Sequence, residues 1–327
     1  MKKVAMFDAK SYDKVWFDKL KGNYGIEIDY FAEKLSPEVA KLAKGYDAVC
    51  AFVNDDISAG TMEVFAENNI GVIAMRCAGF DRVDLKSAEG RVKVFRVPAY
   101  SPNAVAEHAM ALLMCLNRNL HKAYNLCTKY DFRLDGLMGF DLVGKTVGVI
   151  GTGKIGQVFI NICKGLGMNI LAYDIYPADI PGIKYVELDE LFAKSDVISL
   201  HCPMSPENKH LINKANIALM KDGVYIINTS RGGLVNGADL LEALNSGKVG
   251  AAGIDVYEFE SGVFFEDRTK DMPDDKVLKG LLEHPQVLIT AHQAYLTEEA
   301  LKAIAETSLQ NLSDFFAGKD NNNEVKL

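Results

Sequence analysis

Three polar side chains in the last third of the chain have the types and spacing to act together: Arg231, Glu260 and His292. Glu260 lies 29 residues after Arg231, and His292 lies 32 residues after Glu260. Each interval is close to one strand–helix repeat, so neighbouring parallel strands can bring all three to one edge of a sheet. An arginine offers a planar, permanently charged fork that matches a carboxylate. A histidine exchanges a proton near neutral pH. A glutamate against an imidazole favours the charged ring and fixes its orientation. The set suits a reaction in which a small carboxylic acid is anchored while a proton moves to or from one of its oxygens.

A second group lies upstream. Gly151-Thr152-Gly153-Lys154-Ile155-Gly156 forms a GxGxxG run directly after the apolar stretch Thr146–Ile150 and opens a helical pattern. Gly151 permits a tight turn, Gly153 lets a pyrophosphate approach the backbone, and Gly156 lets helix and strand pack closely. The helix start offers unpaired N–H groups and the positive end of its dipole to the phosphates. The next apolar stretch ends in Asp174, 23 residues after Gly151, where a carboxylate can bond the adenosine ribose hydroxyls. Ile175, Tyr176 and Pro177 follow, with no Arg or Lys to neutralise a 2′-phosphate, so NAD is favoured over NADP. Further contacts are expected where later strands end, at His201-Cys202-Pro203, Thr229-Ser230 and Asp255. With a nicotinamide on that edge, a protonated His292 can donate to a ketone oxygen while hydride reaches the carbon.

These groups need a scaffold, and the apolar patterning supplies one. Short runs at Val4–Phe7, Ile26–Phe31, Ala48–Phe52, Gly71–Met75 and Val92–Arg96 alternate with amphipathic segments at Tyr12–Lys21, Pro37–Lys44 and Ala59–Asn68. Continuous apolar strands separated by helices indicate a parallel sheet covered on both faces. Val97-Pro98-Ala99-Tyr100-Ser101-Pro102 breaks the pattern, and a helix through Ala104–Asn119 follows. The alternation restarts at Lys145, with about six strands expected: Thr146–Ile150, Asn169–Asp174, Val197–His201, Val224–Asn228, Gly250–Val256 and Val287–Thr290. Thr297–Phe316 reads as a final capped helix, and Asn321-Asn322-Asn323 as a loose surface segment. The expected fold class is α/β: two open parallel-sheet domains, Rossmann-like and flavodoxin-like, with a cleft between them.

Composition sets the outer limits. Of 327 residues, 49% are hydrophobic, enough for a substantial core. Thirty-six Lys and Arg against 44 Asp and Glu leave a formal charge of −8, which disfavours a nucleic-acid binder. No apolar run approaches the roughly 20 residues of a membrane span. The N-terminus has four apolar residues before an acid and reads as a buried strand rather than a signal peptide. The six cysteines form no CxxC pair or zinc spacing, so no metal is expected; they read as small buried hydrophobes in a reducing, cytoplasmic setting.

The chain resembles the D-isomer-specific 2-hydroxyacid dehydrogenase family, and within it the fermentative bacterial D-lactate dehydrogenase branch. The resemblance spans essentially the whole chain. It is carried by Arg76–Asp81, Ser101–His108, Gly151–Gly156, Ser195–Pro203, Asn228–Gly232 and Asp255–Glu258. Val263–Asp267 and Thr290–Ala300 are the segments most specific to that branch. The resemblance implies that Arg231 binds the substrate carboxylate, that His292 is the acid/base, and that Glu260 is its partner. It implies that backbone near Ala78 and Gly79 also holds the carboxylate, and that Phe52, Tyr100 and Tyr295 line the substrate pocket. Residues 1–100 and 296–327 would form the substrate domain and 101–295 the inserted NAD domain. A homodimer or a homotetramer of dimers is expected, packed through the helix after Ser101. The implied reaction is reversible NADH-dependent reduction of pyruvate to D-lactate. A bulkier 2-oxo acid such as 2-oxoisocaproate or phenylpyruvate is the alternative substrate, and a non-enzymatic NAD-binding regulator is the alternative class.

Overall fold

The computed structural model describes residues 1–326. The chain divides into two compact units, Met1–Ser101 with the C-terminal segment from Leu296, and Pro102–Tyr295. The first unit holds β1 (Lys2–Met6), α1 (Ser11–Leu20), β2 (Ile26–Tyr30), β3 (Ala48–Ala51), α2 (Ala59–Glu67), β4 (Val72–Met75), α3 (Leu85–Ala88) and β5 (Lys93–Phe95). The second holds α4 (Pro102–Asn117), α5 (Leu120–Cys127), β6 (Thr146–Ile150), α6 (Lys154–Gly165), β7 (Asn169–Tyr173), β8 (Lys184–Tyr185) and α7 (Leu188–Lys194). It continues with β9 (Val197–Leu200), α8 (Lys214–Leu219), β10 (Val224–Asn228), α9 (Gly237–Asn245), β11 (Val249–Ile254), α10 (Lys276–Glu283) and β12 (Val287–Ile289). The last helix, α11 (Glu298–Phe316), belongs to the first unit.

The first unit's sheet is parallel throughout, in the order β2-β1-β3-β4-β5. β3 and β4 are buried along their whole length, which is why they read as unbroken apolar runs. Ala305, Leu309 and Leu312 of α11 join Val4, Met6, Cys50, Val72 and Phe95 in one core. Thr297 starts that helix, its hydroxyl accepting the Ala300 N–H at 3.2 Å.

The second unit's sheet is also parallel, in the order β12-β11-β10-β9-β6-β7-β8. The order reverses between β6 and β9, the switch point outside which ligands of such sheets bind. Ala106, Ala109, Leu113 and Leu116 of α4 pack with Val147, Val149 and Phe159 over one face. Leu240, Leu244, Leu278 and Leu281 help cover the other.

The structure corrects several expectations. This sheet has seven strands rather than six, the extra one being the two-residue β8. Pro37–Lys44 forms only a short 3₁₀ turn at Val39–Ala43. The expected single helix through Asn119 ends at Asn117. Asn119 takes a left-handed φ of 50°, and a separate α5 begins. Asn321-Asn322-Asn323 is tied down rather than loose: Asn321 Nδ2 and Asn323 Nδ2 donate to Asn311 Oδ1 at 3.0 and 2.8 Å, and the Asn323 carbonyl accepts the Arg96 N–H. Cys50, Cys77 and Cys163 are buried as expected, but Cys127 is exposed. Among the described residues, no helix is long and apolar enough to cross a membrane.

Candidate active site

The second unit's carboxyl edge carries both groups singled out in the sequence. At the switch point Gly151 has φ +96°, and a Cβ there would lie 2.5 Å from the Cys202 nitrogen. A Cβ on Gly156 would lie 2.0 Å from the Gly151 carbonyl oxygen. Only glycine fits either place, so strand, turn and helix pack at closest approach. Gly153 differs: it is exposed, and nothing stands within 4 Å of an added Cβ. It starts α6 without a side-chain cap, so the helix's first N–H groups are not covered by a side chain of that residue. Lys154 and Ile155 form the first turn, and Thr152 is buried.

Asp174 follows β7. Its Oδ2 accepts the Thr152 N–H (2.6 Å) and hydroxyl (3.0 Å), and its Oδ1 accepts the Tyr176 N–H (2.9 Å). The carboxylate thus sits against the glycine turn, half-exposed. His201 turns its ring inward, 4.8 Å from Phe159, with Nε2 on the Ser199 hydroxyl at 2.8 Å. Burial pushes it down to about 3, so it is a neutral group under the turn. Burial likewise pushes the Cys202 thiol up to about 11, and Pro203 is exposed. Ser230 ties two strand ends together by donating to the Cys202 carbonyl at 2.5 Å. The Thr229 hydroxyl is buried without a hydrogen-bond partner. An uncapped helix start, an open glycine and an orphaned hydroxyl on one edge fit a dinucleotide.

The proposed reacting residues occupy the ends of β10, β11 and β12. Arg231 follows β10, half-buried, with Nη1 donating to the Ser230 carbonyl at 2.9 Å. A Cβ on Gly232 would meet the Tyr257 carbonyl carbon at 2.0 Å, so the Arg231 loop lies directly on the loop after β11. That second loop carries Glu260. Its Oε2 accepts the Tyr257 N–H at 3.0 Å and locks its own turn. Its Oε1 stands 2.8 Å from His292 Nδ1. The side chains of His292 and Glu260 are 20% and 17% exposed, whereas neighbouring Phe259 is 62% exposed. A carboxylate only accepts, so Nδ1 is the donor of this bond and Nε2 is the ring nitrogen outside it.

Asp255, expected at the cofactor, also ties strand ends together. It is fully buried, and its oxygens accept the Thr290 hydroxyl and the N–H groups of Gln293 and Ala294. Phe265 was not singled out; its ring stands 5.9 Å from that of His292. His108, the last residue of the Ser101–His108 motif, bonds Thr290.

In the first unit, Phe52 is buried with its backbone N–H on Asp55 at 2.6 Å. The Arg76 guanidinium lies 4.8 Å above its ring. Arg96 Nη1 donates to the Ala78 carbonyl, and the Cys77 thiol to that of Gly79. Tyr100 is half-buried; Tyr295, in the second unit, is buried.

Residues 110–294 match the family described as D-isomer specific 2-hydroxyacid dehydrogenase, NAD binding domain. The chain is 48% identical to D-lactate dehydrogenase of Escherichia coli over 99% of both chains. The chain belongs to the D-isomer-specific 2-hydroxyacid dehydrogenase family. It is an NAD-dependent oxidoreductase, which sets aside the non-enzymatic reading. The solved pyruvate reductase of Chlamydomonas reinhardtii superposes with a TM-score of 0.94 at 44% identity, covering 99% and 98% of the two chains. A solved D-2-hydroxyisocaproate dehydrogenase superposes at 0.90 with 35% identity, covering 99% and 100%.

Proposed function

We propose that this enzyme reduces pyruvate to D-lactate with NADH, reversibly. The observation that carries the reading is the His292–Glu260 pair at 2.8 Å, with the Arg231 loop seated on the loop that bears Glu260. When bound, NADH supplies the hydride. Gly151, Thr152, Gly153 and the first turn of α6 would hold the pyrophosphate, Asp174 the ribose, and Thr229 with the backbone of 201–203 the rest. Arg231 anchors the carboxylate through its fork. His292 Nε2 donates its proton to the ketone oxygen as the carbon is reduced, and takes the hydroxyl proton in reverse. Glu260 keeps Nδ1 protonated and the ring aimed. Residues 1–100 and 296–327 are assigned to the substrate, with Phe52, Tyr100 and the backbone of Ala78 and Gly79 meeting it; residues 101–295 are assigned to NAD. Tyr295 closes the substrate set.

The test is NADH oxidation with a panel of 2-oxo acids, with chiral analysis of the product. Pyruvate ranking first by kcat/KM and yielding the D-isomer supports the proposal. A first rank for 2-oxoisocaproate or phenylpyruvate replaces the substrate, and no turnover with any overturns the reading.

The chain is also proposed to form a homodimer, as the unit of any tetramer. Leu120, Tyr124, Tyr130, Phe132, Leu134 and Met138 are all exposed within one short segment, an unusual run of apolar surface for a monomer. Light scattering at twice or four times the chain mass is expected; a monomer contradicts it.

A further inference from the structure

His292 sits in a backbone conformation that needs support. Its φ is 54°, in the left-handed region that a residue with a Cβ enters only under strain. The support comes from Asp255, which follows β11. The Asp255 carbonyl accepts the His292 N–H at 2.7 Å. Its Oδ1 accepts the Gln293 N–H at 2.9 Å, and its Oδ2 the Ala294 N–H at 2.8 Å. Three consecutive amides of the His292 turn therefore hang on one residue with no solvent-accessible surface.

The same carboxylate has a further neighbour outside the turn. The Thr290 hydroxyl donates to Asp255 Oδ1 at 2.5 Å. A hydroxyl has one proton, and a carboxylate can only accept, so that proton is committed to Asp255. Thr290 Oγ1 must then act as acceptor toward its other partner, His108 Nε2, at 3.0 Å. The directions are fixed: His108 Nε2–H donates to Thr290, the Thr290 O–H donates to Asp255, and the amides of the turn also donate to Asp255. His108 Nε2 also lies 3.4 Å from Asp255 Oδ1, with the imidazole 18% exposed on α4.

We propose that His108 is a positioning residue for His292, acting through Thr290 and Asp255 to hold the 290–294 turn. The proposal rests on the acid/base reading of His292. It assigns a role to a histidine that touches none of the residues placed at the substrate or the cofactor except Asp255, and it explains why a buried acid at the end of β11 is worth its desolvation.

Two substitutions separate donor from bulk. His108→Gln places an amide N–H where Nε2 stands, while His108→Asn places its amide one bond short, near Nδ1. Thr290→Val removes the relaying hydroxyl with little change of shape. kcat and KM for pyruvate at saturating NADH, the NADH dissociation constant, and amide exchange at Gln293 and Ala294 are measured for each. His108→Asn and Thr290→Val are expected to lower kcat about tenfold or more with NADH affinity within about twofold, and to speed both amides. His108→Gln is expected to restore both readouts to within about threefold of the parent. Parent-like kcat and exchange in His108→Asn overturn the proposal, as does a His108→Gln variant as impaired as His108→Asn. Amide exchange needs no turnover. If the parent reduces no 2-oxo acid the functional reading fails, and unchanged exchange across the variants separately removes the network.

Discussion

The two units are built on the same principle and finish it in opposite ways. Each has a parallel sheet with a point where strand order reverses, between β1 and β3 in the first and between β6 and β9 in the second. In the second unit that point is left open. Gly151 and Gly156 bring turn and helix to closest approach, Gly153 keeps the approach clear, and the polar group beneath, His201, is neutral. In the first unit the corresponding point is filled by charge. Arg76 is 1% exposed, donates to the carbonyls of Phe7 and Asp8 at 3.0 and 2.6 Å, pairs with Asp13 at 3.3 Å and lies over Phe52. Burial opposes its charge, yet Asp13, with Asp55 and Asp8, outweighs that and holds it more firmly protonated than usual. Burial pushes the Asp55 carboxyl up, against the pull of Arg76 and of two backbone N–H groups. The first sheet fills its switch point with its own side chains; the second reserves its switch point for something that arrives.

Breaking the filled point has the largest expected effect. Arg76→Met leaves Asp13 and Asp55 buried with no cation and should cost about 3–5 kcal/mol of stability. Because the second unit has its own core, NADH affinity should persist under conditions where the variant remains folded. Thermal unfolding and NADH titration of the same sample check this, and a melting temperature equal to the parent's contradicts the contrast. Crowding the open point should do the reverse. Gly153→Ala adds a Cβ with no neighbour within 4 Å, so folding stability should change by less than about 1 kcal/mol while NADH binding weakens about tenfold or more. A stability loss without a binding loss would make Gly153 a packing glycine like Gly156.

Much of this was legible in the residues. Parallel strands buried on both faces read as continuous apolar runs, so the main strands of both sheets were found within a residue or two. Regular βα spacing carried Arg231, Glu260 and His292 to one edge. The illegible parts lack a local signature. The tie-down of Asn321–Asn323 depends on Asn311 and Arg96, the latter more than 200 positions away. Arg76 reaches the carbonyl of Phe7, 69 residues earlier, and looks like any charged residue ending a strand. Asp255 was expected at the cofactor because it ends a strand. The three donors it accepts from Thr290, Gln293 and Ala294 lie 35 to 39 residues on, and no spacing rule announces them. β8 is too short to show a pattern, and the break at Asn119 is a backbone choice within a sequence that otherwise continues a helix.

The open edge of the second unit is proposed to move a proton through His292. This is tested most directly by steady-state NADH oxidation with pyruvate, comparing the parent with His292→Ala, alongside NADH titration of both. A fall in kcat of about hundredfold or more with NADH affinity unchanged is the predicted result. Turnover within a few-fold of the parent would contradict it.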